Sequence, residues 1–414
     1  MDALRYLNSF LNLEQVHRPH SRVWNLQRMR ELYRIFGHPE RRMFTVLVGG
    51  TKGKGSTAYF LSEILRRSGL RIGLYHSPHL EEPRERIWVN GRPISRRDFS
   101  RGLLKIKRRI RNVEAQQAMP LRMNFTYFEI LTLLASLLFK EKKVEAAVFE
   151  VGMGGRLDAT HVLPSKLVLL TPIHYDHEAF LGNTLAEIAR EKAAILRPGR
   201  DVVVSPEPAE VMREIRKVAH RRRCPLWKPL YRPGMRLKLL GDFQRLNAAM
   251  AMRGAELLRK QYRFPVTEAS LQAGIGSNHW PGRMELFKGK PSLLLDGAHN
   301  PKSIEALCRN VKKLFPRRRK ILIFGTSRDK RSDRMLPKLA RVFPVCILTE
   351  ARNPRAKEIA SLLAEAKGKF SALLPLKGPA EALRTARRLA GPKDLIVATG
   401  SFYLIGDIRS RCRK

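Results

Sequence analysis

MFTVLVGGTKGKGSTAYFLSEILRRSG, residues 43–69, sets three kinds of segment one after another. MFTVLV (43–48) is apolar and β-branched, the composition of a strand buried on both faces. A glycine-rich turn, Gly49–Ser56, follows it. In STAYFLSEILRRSG, Phe60, Leu61, Ile64 and Leu65 then recur at helical spacing, and Gly69 suits the stop. A turn of this kind between a strand and a helix is an anion cradle, because successive backbone N–H groups and the helix N-terminus aim at one place. Gly50, Thr51, Lys52, Gly53, Gly55 and Thr57 form the turn and its exit; Lys54 can reach the β- and γ-phosphates of ATP, and Ser56 can hold Mg²⁺. Gly55 separates the lysine from the serine, so the loop is not a strict Walker A sequence. The strand before it and the amphipathic helix after it carry the reading.

The same alternation continues outward. RIGLY (71–75), VEAAVFEV (144–151) and KLVLLT (166–171) read as strands, and YFEILTLLASLLF (127–139) as a buried helix. Thr184 and Glu187 fit a capping box opening TLAEIAREKAAIL (184–196), which Pro198 and Gly199 end. This is α/β order, a mostly parallel sheet covered by helices. SLLLD (292–296), KILIFG (320–325), PVCILT (344–349) and DLIVAT (394–399) predict a second, smaller, Rossmann-like unit. A chain of 414 residues is too long for one ordinary core. FKGKPS (287–292) is the expected joint, giving domains 1–288 and 289–414.

Composition excludes several classes. With 43% hydrophobic and 28% charged residues the chain is globular, not disordered. No apolar run approaches the ~20 residues of a membrane span, and the N-terminus has no signal-peptide pattern. The four cysteines, Cys224, Cys308, Cys346 and Cys412, are scattered and read as reduced thiols of a cytoplasmic protein. The 80 Lys+Arg against 37 Asp+Glu give a net charge of +43. The basic residues run along the whole chain without interleaved aromatics, so attraction of anionic substrates is expected ahead of nucleic-acid binding.

Chemistry-bearing residues cluster at strand ends. Glu150 ends VEAAVFEV beside Gly152, Gly154 and Gly155, and Asp176–His177 follows KLVLLT. Each alone reads as an ordinary turn, but parallel strands bring their carboxyl ends together, and a carboxylate there is placed for a metal. Asp296 and His299 in LDGAHNP stand at a strand end of the second unit, and Arg283 in WPGR lies just before it. An arginine at an interdomain joint can stabilise a transferring phosphoryl group or be a plain linker residue. Lys192, among Ala189, Ala193 and Ala194, reads by itself as a surface lysine.

Together these segments resemble the folylpolyglutamate synthase/dihydrofolate synthase branch of the Mur ligase superfamily, over nearly the whole chain. LQRMREL (26–32), VGGTKGKGST (48–57), LYHSPHLEEPRERIWVNGRPIS (74–95), FEVGMGGRLDAT (149–160), HYDHEAFLGNTLAEIAREKAAIL (174–196), NAAMA (247–251), WPGR (280–283), LDGAHNP (295–301) and GSFYLIGDIR (400–409) fall in family order. The resemblance implies a P-loop ATP-binding domain and a Rossmann-like C-terminal domain. It implies ATP-dependent addition of L-glutamate to dihydropteroate and/or folates through an acyl phosphate, by a cytoplasmic monomer. It implies two Mg²⁺ sites, the first with Ser56 and Glu150 and the second with His177 and Lys192, the latter as a carbamate. Lys54, Glu150, His177, Lys192 and Arg283 would be the catalytic set. Asn247, Arg283, Asp296 and His299 would surround the nucleotide, and Ser77, Pro78, His79 and Arg86 would lie on the folate side. Lys52 departs from the family's usual Asn, Phe243 from its His, Pro172 and His174 from the usual stretch before Asp-His, and GTSRDKR (325–331) only partly matches its Asp-Lys segment. The rival readings are a Mur-type ligase acting on another acid and a basic P-loop ATPase that binds nucleic acid.

Overall fold

The computed structural model describes residues 2–13, 25–116, 125–176, 178–277 and 280–412. The predicted site residue His177 lies outside them. Two sheets organise the chain. The first is built from β1 (Phe44–Gly49), β2 (Ile72–Tyr75), β3 (Ile87–Val89), β4 (Arg92–Pro93), β5 (Ala146–Glu150), β6 (Leu167–Leu170), β7 (Asp201–Val204) and β8 (Leu226–Trp227). Their order is β4-β3-β2-β5-β1-β6-β7-β8. Pairing is parallel from β2 to β8, and β3 and β4 join antiparallel at one edge.

The apolar strand of the opening segment is central, as its composition predicts. Leu47 packs into one core, and Val46 and Val48 into the other on the opposite face. A strand buried on both faces needs no polar alternation, which is why MFTVLV is apolar throughout. The helix Lys54–Arg67 covers one face, and the helix Tyr127–Glu141 the other. The capping box of Thr184 and Glu187 forms as read, with Thr184 accepting from the Glu187 backbone N–H.

The second sheet holds β9 (Glu285–Phe287), β10 (Ser292–Leu295), β11 (Lys320–Phe324), β12 (Val345–Leu348), β13 (Ala372–Pro375) and β14 (Leu395–Thr399). Its order is β13-β12-β11-β14-β10-β9, parallel except for β9 against β10. The molecule is therefore α/β with two mostly parallel sheets in two domains. FKGKPS, read as the joint, is instead largely the turn between β9 and β10. Lysine, glycine and proline suit a hairpin turn as well as a linker, and composition does not separate the two.

Among the described residues no helix is long and apolar enough to cross a membrane.

Candidate active site

Three strand ends meet, as the parallel order requires. β1 lies between β5 and β6, with Val48 opposite Glu150 and Gly49 opposite Leu170. Glu150 and the segment after β6 therefore flank the glycine loop on its two sides.

Glycine is needed in that loop. Gly50 has φ +129° and Gly53 φ +84°, both in the left-handed region. A Cβ on Gly53 would also stand 2.2 Å from Asn247 Oδ1. The helix starts at Lys54, two residues earlier than the sequence suggests, so Lys54 and Ser56 both lie in its first turn. Thr51 and Lys52 donate their backbone N–H groups to Pro172 O (2.9 and 3.1 Å), which ties the loop to the segment after β6.

Glu150 is buried, and its Oε2 accepts from Ser77 N at 3.0 Å. Burial pushes this carboxyl above its ordinary range, while the charges of Lys54, Arg283 and Arg86 and the Ser77 amide pull the other way. A Cβ on Gly55 would sit 3.2 Å from Glu150 Oε2, so the missing side chain leaves room for the carboxylate at the loop. Ser77, expected on the folate side, thus stands at the Glu150 carboxylate.

A cavity of about 920 Å³ runs over the loop between the two sheets. Thr51, Lys52, Gly53, Lys54, Gly55 and Ser56 line it from the first domain, with Ser77, Pro78, Glu150 and Asn247. Arg283, Asp296 and His299 line it from the other side. Gly50, Thr57, Lys192, His79 and Arg86 are not among its lining residues. Thr57 Oγ1 lies 3.5 Å from Asn247 Oδ1, and Asn247 donates to Gln244 Oε1 at 2.9 Å. His79 Nδ1 accepts from Arg86 Nε at 2.9 Å, and Arg86 is fully buried.

Lys192 is not on the surface. It is 4% exposed and its Nζ donates to Gly50 O at 3.0 Å. Burial, followed by the charge of Lys54, pulls its ammonium down to about 7.

From the second domain, Asp296 accepts from Met284 N and Ala298 N, both at 2.9 Å, and so fixes the turn that carries Arg283. The Arg283 guanidinium lies 4.4 Å over the Phe402 ring. His299 donates its Nδ1–H to Gly297 O at 2.7 Å, because a carbonyl only accepts. Burial and Lys330 hold its imidazole down to about 4, so it is neutral at physiological pH with Nε2 as an acceptor. Asp176 pairs with Lys330 across the domains at 3.6 Å.

Several lining residues carried no assignment from sequence. Lys302, Lys330, Arg331 and Arg355 add positive charge. Phe128, Met153 and Leu157 make one apolar wall, and Phe243, Leu246 and Leu307 another. Lys330 sat in the partly matching GTSRDKR segment, the one signal that pointed to it. Asp158 of the GGRLDAT stretch lines the cavity but acts as a brace: it accepts from Met153 N (3.0 Å) and Thr160 N (2.9 Å).

Comparison with known proteins agrees with this geometry. The Mur ligase middle domain matches residues 48–230, and the Mur ligase glutamate ligase domain matches residues 282–402. The dihydrofolate synthase/folylpolyglutamate synthase of Bacillus subtilis is 32% identical over 94% of this chain and 95% of its own. The chain belongs to the folylpolyglutamate synthase/dihydrofolate synthase family of Mur ligases. Among solved structures, Mycobacterium tuberculosis folylpolyglutamate synthase complexed with ADP and AMPPCP superposes with TM-score 0.86, at 28% identity over 94% of this chain and 96% of that one. Escherichia coli FolC in complex with DHPP and ADP gives TM-score 0.86, at 26% identity over 100% of this chain and 98% of that one. The family's ATP-dependent glutamate ligation fits a site with a phosphate loop on one wall and a basic second domain on the other.

Proposed function

We propose that this chain is an ATP-dependent amide ligase that joins L-glutamate to the carboxylate of dihydropteroate and of reduced folates, releasing ADP and phosphate. The observation that carries the reading is the single cavity onto which the phosphate loop, the buried Glu150 and the Arg283–His299 segment all open.

A carboxylate is a poor electrophile towards an amine. Phosphoryl transfer from ATP converts it to an acyl phosphate with a good leaving group; the glutamate amine attacks the carbonyl, and the tetrahedral adduct expels phosphate. The loop amides and Lys54 hold the ATP phosphates, and Arg283 meets the charge that develops on the transferred group. Phe128, Met153 and Leu157 offer an apolar wall for a flat aromatic acid. The Asp176–Lys330 pair holds the second domain over the loop and keeps water from the acyl phosphate.

The donor set suits Mg²⁺. Among the described residues no group of three or more His, Cys, Asp or Glu could hold a metal, but Mg²⁺ needs only one or two carboxylates alongside substrate phosphates and water. Ser56 and Glu150 would hold one ion; His177 and a carbamylated Lys192 would hold the second. Bound there, Mg²⁺ neutralises charge on the transferring phosphoryl group. Lys192 fits the carbamate reading because its buried amine, brought down to about 7, is neutral often enough to react with CO₂.

The test is ADP release in the presence of L-glutamate and either dihydropteroate or tetrahydrofolate. Each acid should support release and gain one glutamate in mass. Absence of release with both acids would overturn the assignment.

A further inference from the structure

Lys52 is the loop residue whose surroundings are hardest to explain from the fold alone. Its Nζ has under 1 Å² exposed and, among the described residues, no hydrogen-bond partner. An ammonium buried without a partner costs several kcal/mol. The nearest acidic groups are engaged elsewhere: Asp176 pairs with Lys330 at 3.6 Å, and Glu305 with Lys338 at 2.8 Å. The other neighbours make matters worse. Lys302, from the first turn of the helix Pro301–Leu314 in the second domain, is the charge that most opposes Lys52. Lys302 Nζ lies 3.4 Å from His174 Nδ1, and burial with these two lysines keeps that imidazole neutral, so it brings no negative charge. All three side chains line the large cavity.

Two cations from different domains that line one cavity beside the phosphate loop are arranged for a polyanion between them. We propose that Lys52 and Lys302 bind the phosphates of the nucleotide between them, as an interdomain clamp. This rests on the ligase reading and deepens it. A bridging phosphate turns the mutual repulsion of the two lysines into attraction to a shared partner. Nucleotide binding then favours approach of the second domain before the acid is activated. L-Glutamate, the other anionic substrate, is the alternative occupant.

The experiment measures ADP affinity by calorimetry at low salt for the whole protein, Lys52→Met, Lys302→Met and the double variant. Methionine keeps the aliphatic stem and removes the charge; Lys52→Asn serves as a second, smaller replacement. Each single change should weaken ADP about tenfold, with a smaller effect on AMP, and leave KM for L-glutamate within twofold. The melting temperature of Lys52→Met should not fall, because an unpartnered buried charge has been removed. ADP affinity within twofold of the unsubstituted protein in both Lys52 variants overturns the clamp. So does a rise in KM for L-glutamate with ADP affinity unchanged, which would assign the lysines to the amino acid. If the unsubstituted protein itself fails to bind ADP, the ligase reading falls with the clamp; if it binds ADP and the variants do likewise, only the clamp falls.

Discussion

Glu150→Gln separates a catalytic role from a structural one, and the structure predicts opposite signs for the two. The carboxylate is buried and accepts a hydrogen bond from Ser77 N at 3.0 Å. Burial is the largest influence on it and raises its pKa. For an acid whose folded pKa lies above its unfolded value, the fold favours the neutral form. The stabilising contribution is then present at low pH and is lost as pH rises through the folded pKa. At neutral pH the ionised Glu150 therefore costs the fold stability, partly offset by Lys54 and Arg283. Glutamine matches the neutral form in size and still accepts from Ser77 N. The variant should be as stable as the parent or more so at pH 7.5, by ~0–2 kcal/mol, with the difference shrinking towards acid pH. A shift of ~1 kcal/mol moves the melting temperature by about 2 °C in a chain of this size. Turnover should behave in the reverse way. If Glu150 holds Mg²⁺ at the loop, loss of its charge should lower kcat by about 100-fold or more and raise the Mg²⁺ needed for half-maximal rate. Thermal melts at several pH values and an ADP-release assay across a Mg²⁺ series read both quantities. A variant that melts well below the parent at pH 7.5 would place Glu150 in a structural ion pair. One that turns over normally at ordinary Mg²⁺ would remove it from the metal site.

Three further outcomes are expected. Gly53→Ala forces a non-glycine residue to φ +84° and puts its Cβ 2.2 Å from Asn247 Oδ1; it should cost ~1–3 kcal/mol in chemical denaturation and weaken ADP binding, and an unchanged midpoint would show that the loop adjusts freely. Lys192→Ala should lose most activity and recover part of it with added acetate, whereas full activity without rescue would mean that no carbamate is used. With 80 Lys+Arg against 37 Asp+Glu, KM for folates with long glutamate tails should rise more steeply with salt than KM for dihydropteroate, and parallel slopes would remove the surface charge from substrate capture.

How much of this was legible depended on whether the signal was local. The loop, its strand and its helix lie within 27 residues, and each rule that predicts them acts over a few positions; the cradle follows directly. The eight runs read as strands are strands to within two residues at each end. The short strands β3, β4 and β8, two or three residues long, carry no periodicity to read. Ser77 shows a different limit. It follows β2 in sequence, and Glu150, with which its residue pattern does not associate it, ends β5 about seventy residues later. The sheet order β2-β5-β1 inserts β5 between β1 and β2, and this crossover alone brings Ser77 N to the Glu150 carboxylate. No spacing rule encodes strand order. The cross-domain contacts of Asp176 with Lys330, and of Lys302 with His174, were hidden for the same reason.

Read by itself, Lys192 goes to the surface even though a local signal points inward. Residue type alone assigns a lysine to the surface, because long charged side chains are almost never fully buried without a partner. Its neighbours argue the other way. Ile188, Ala189, Ala193, Ile195 and Leu196 are all buried, and 188 and 192 lie one turn apart on the same face of the helix Leu185–Ala193. The lysine thus occupies a core position of an amphipathic helix whose alanines leave room for its stem. Its amine donates to a neutral carbonyl of the phosphate loop, Gly50 O. A core position given to a lysine, on a helix that packs beneath an anion cradle, breaks the binary pattern at one residue. Such a break is retained where the amine has a task, and its lowered pKa shows that the surroundings favour the uncharged form that the carbamate reading requires.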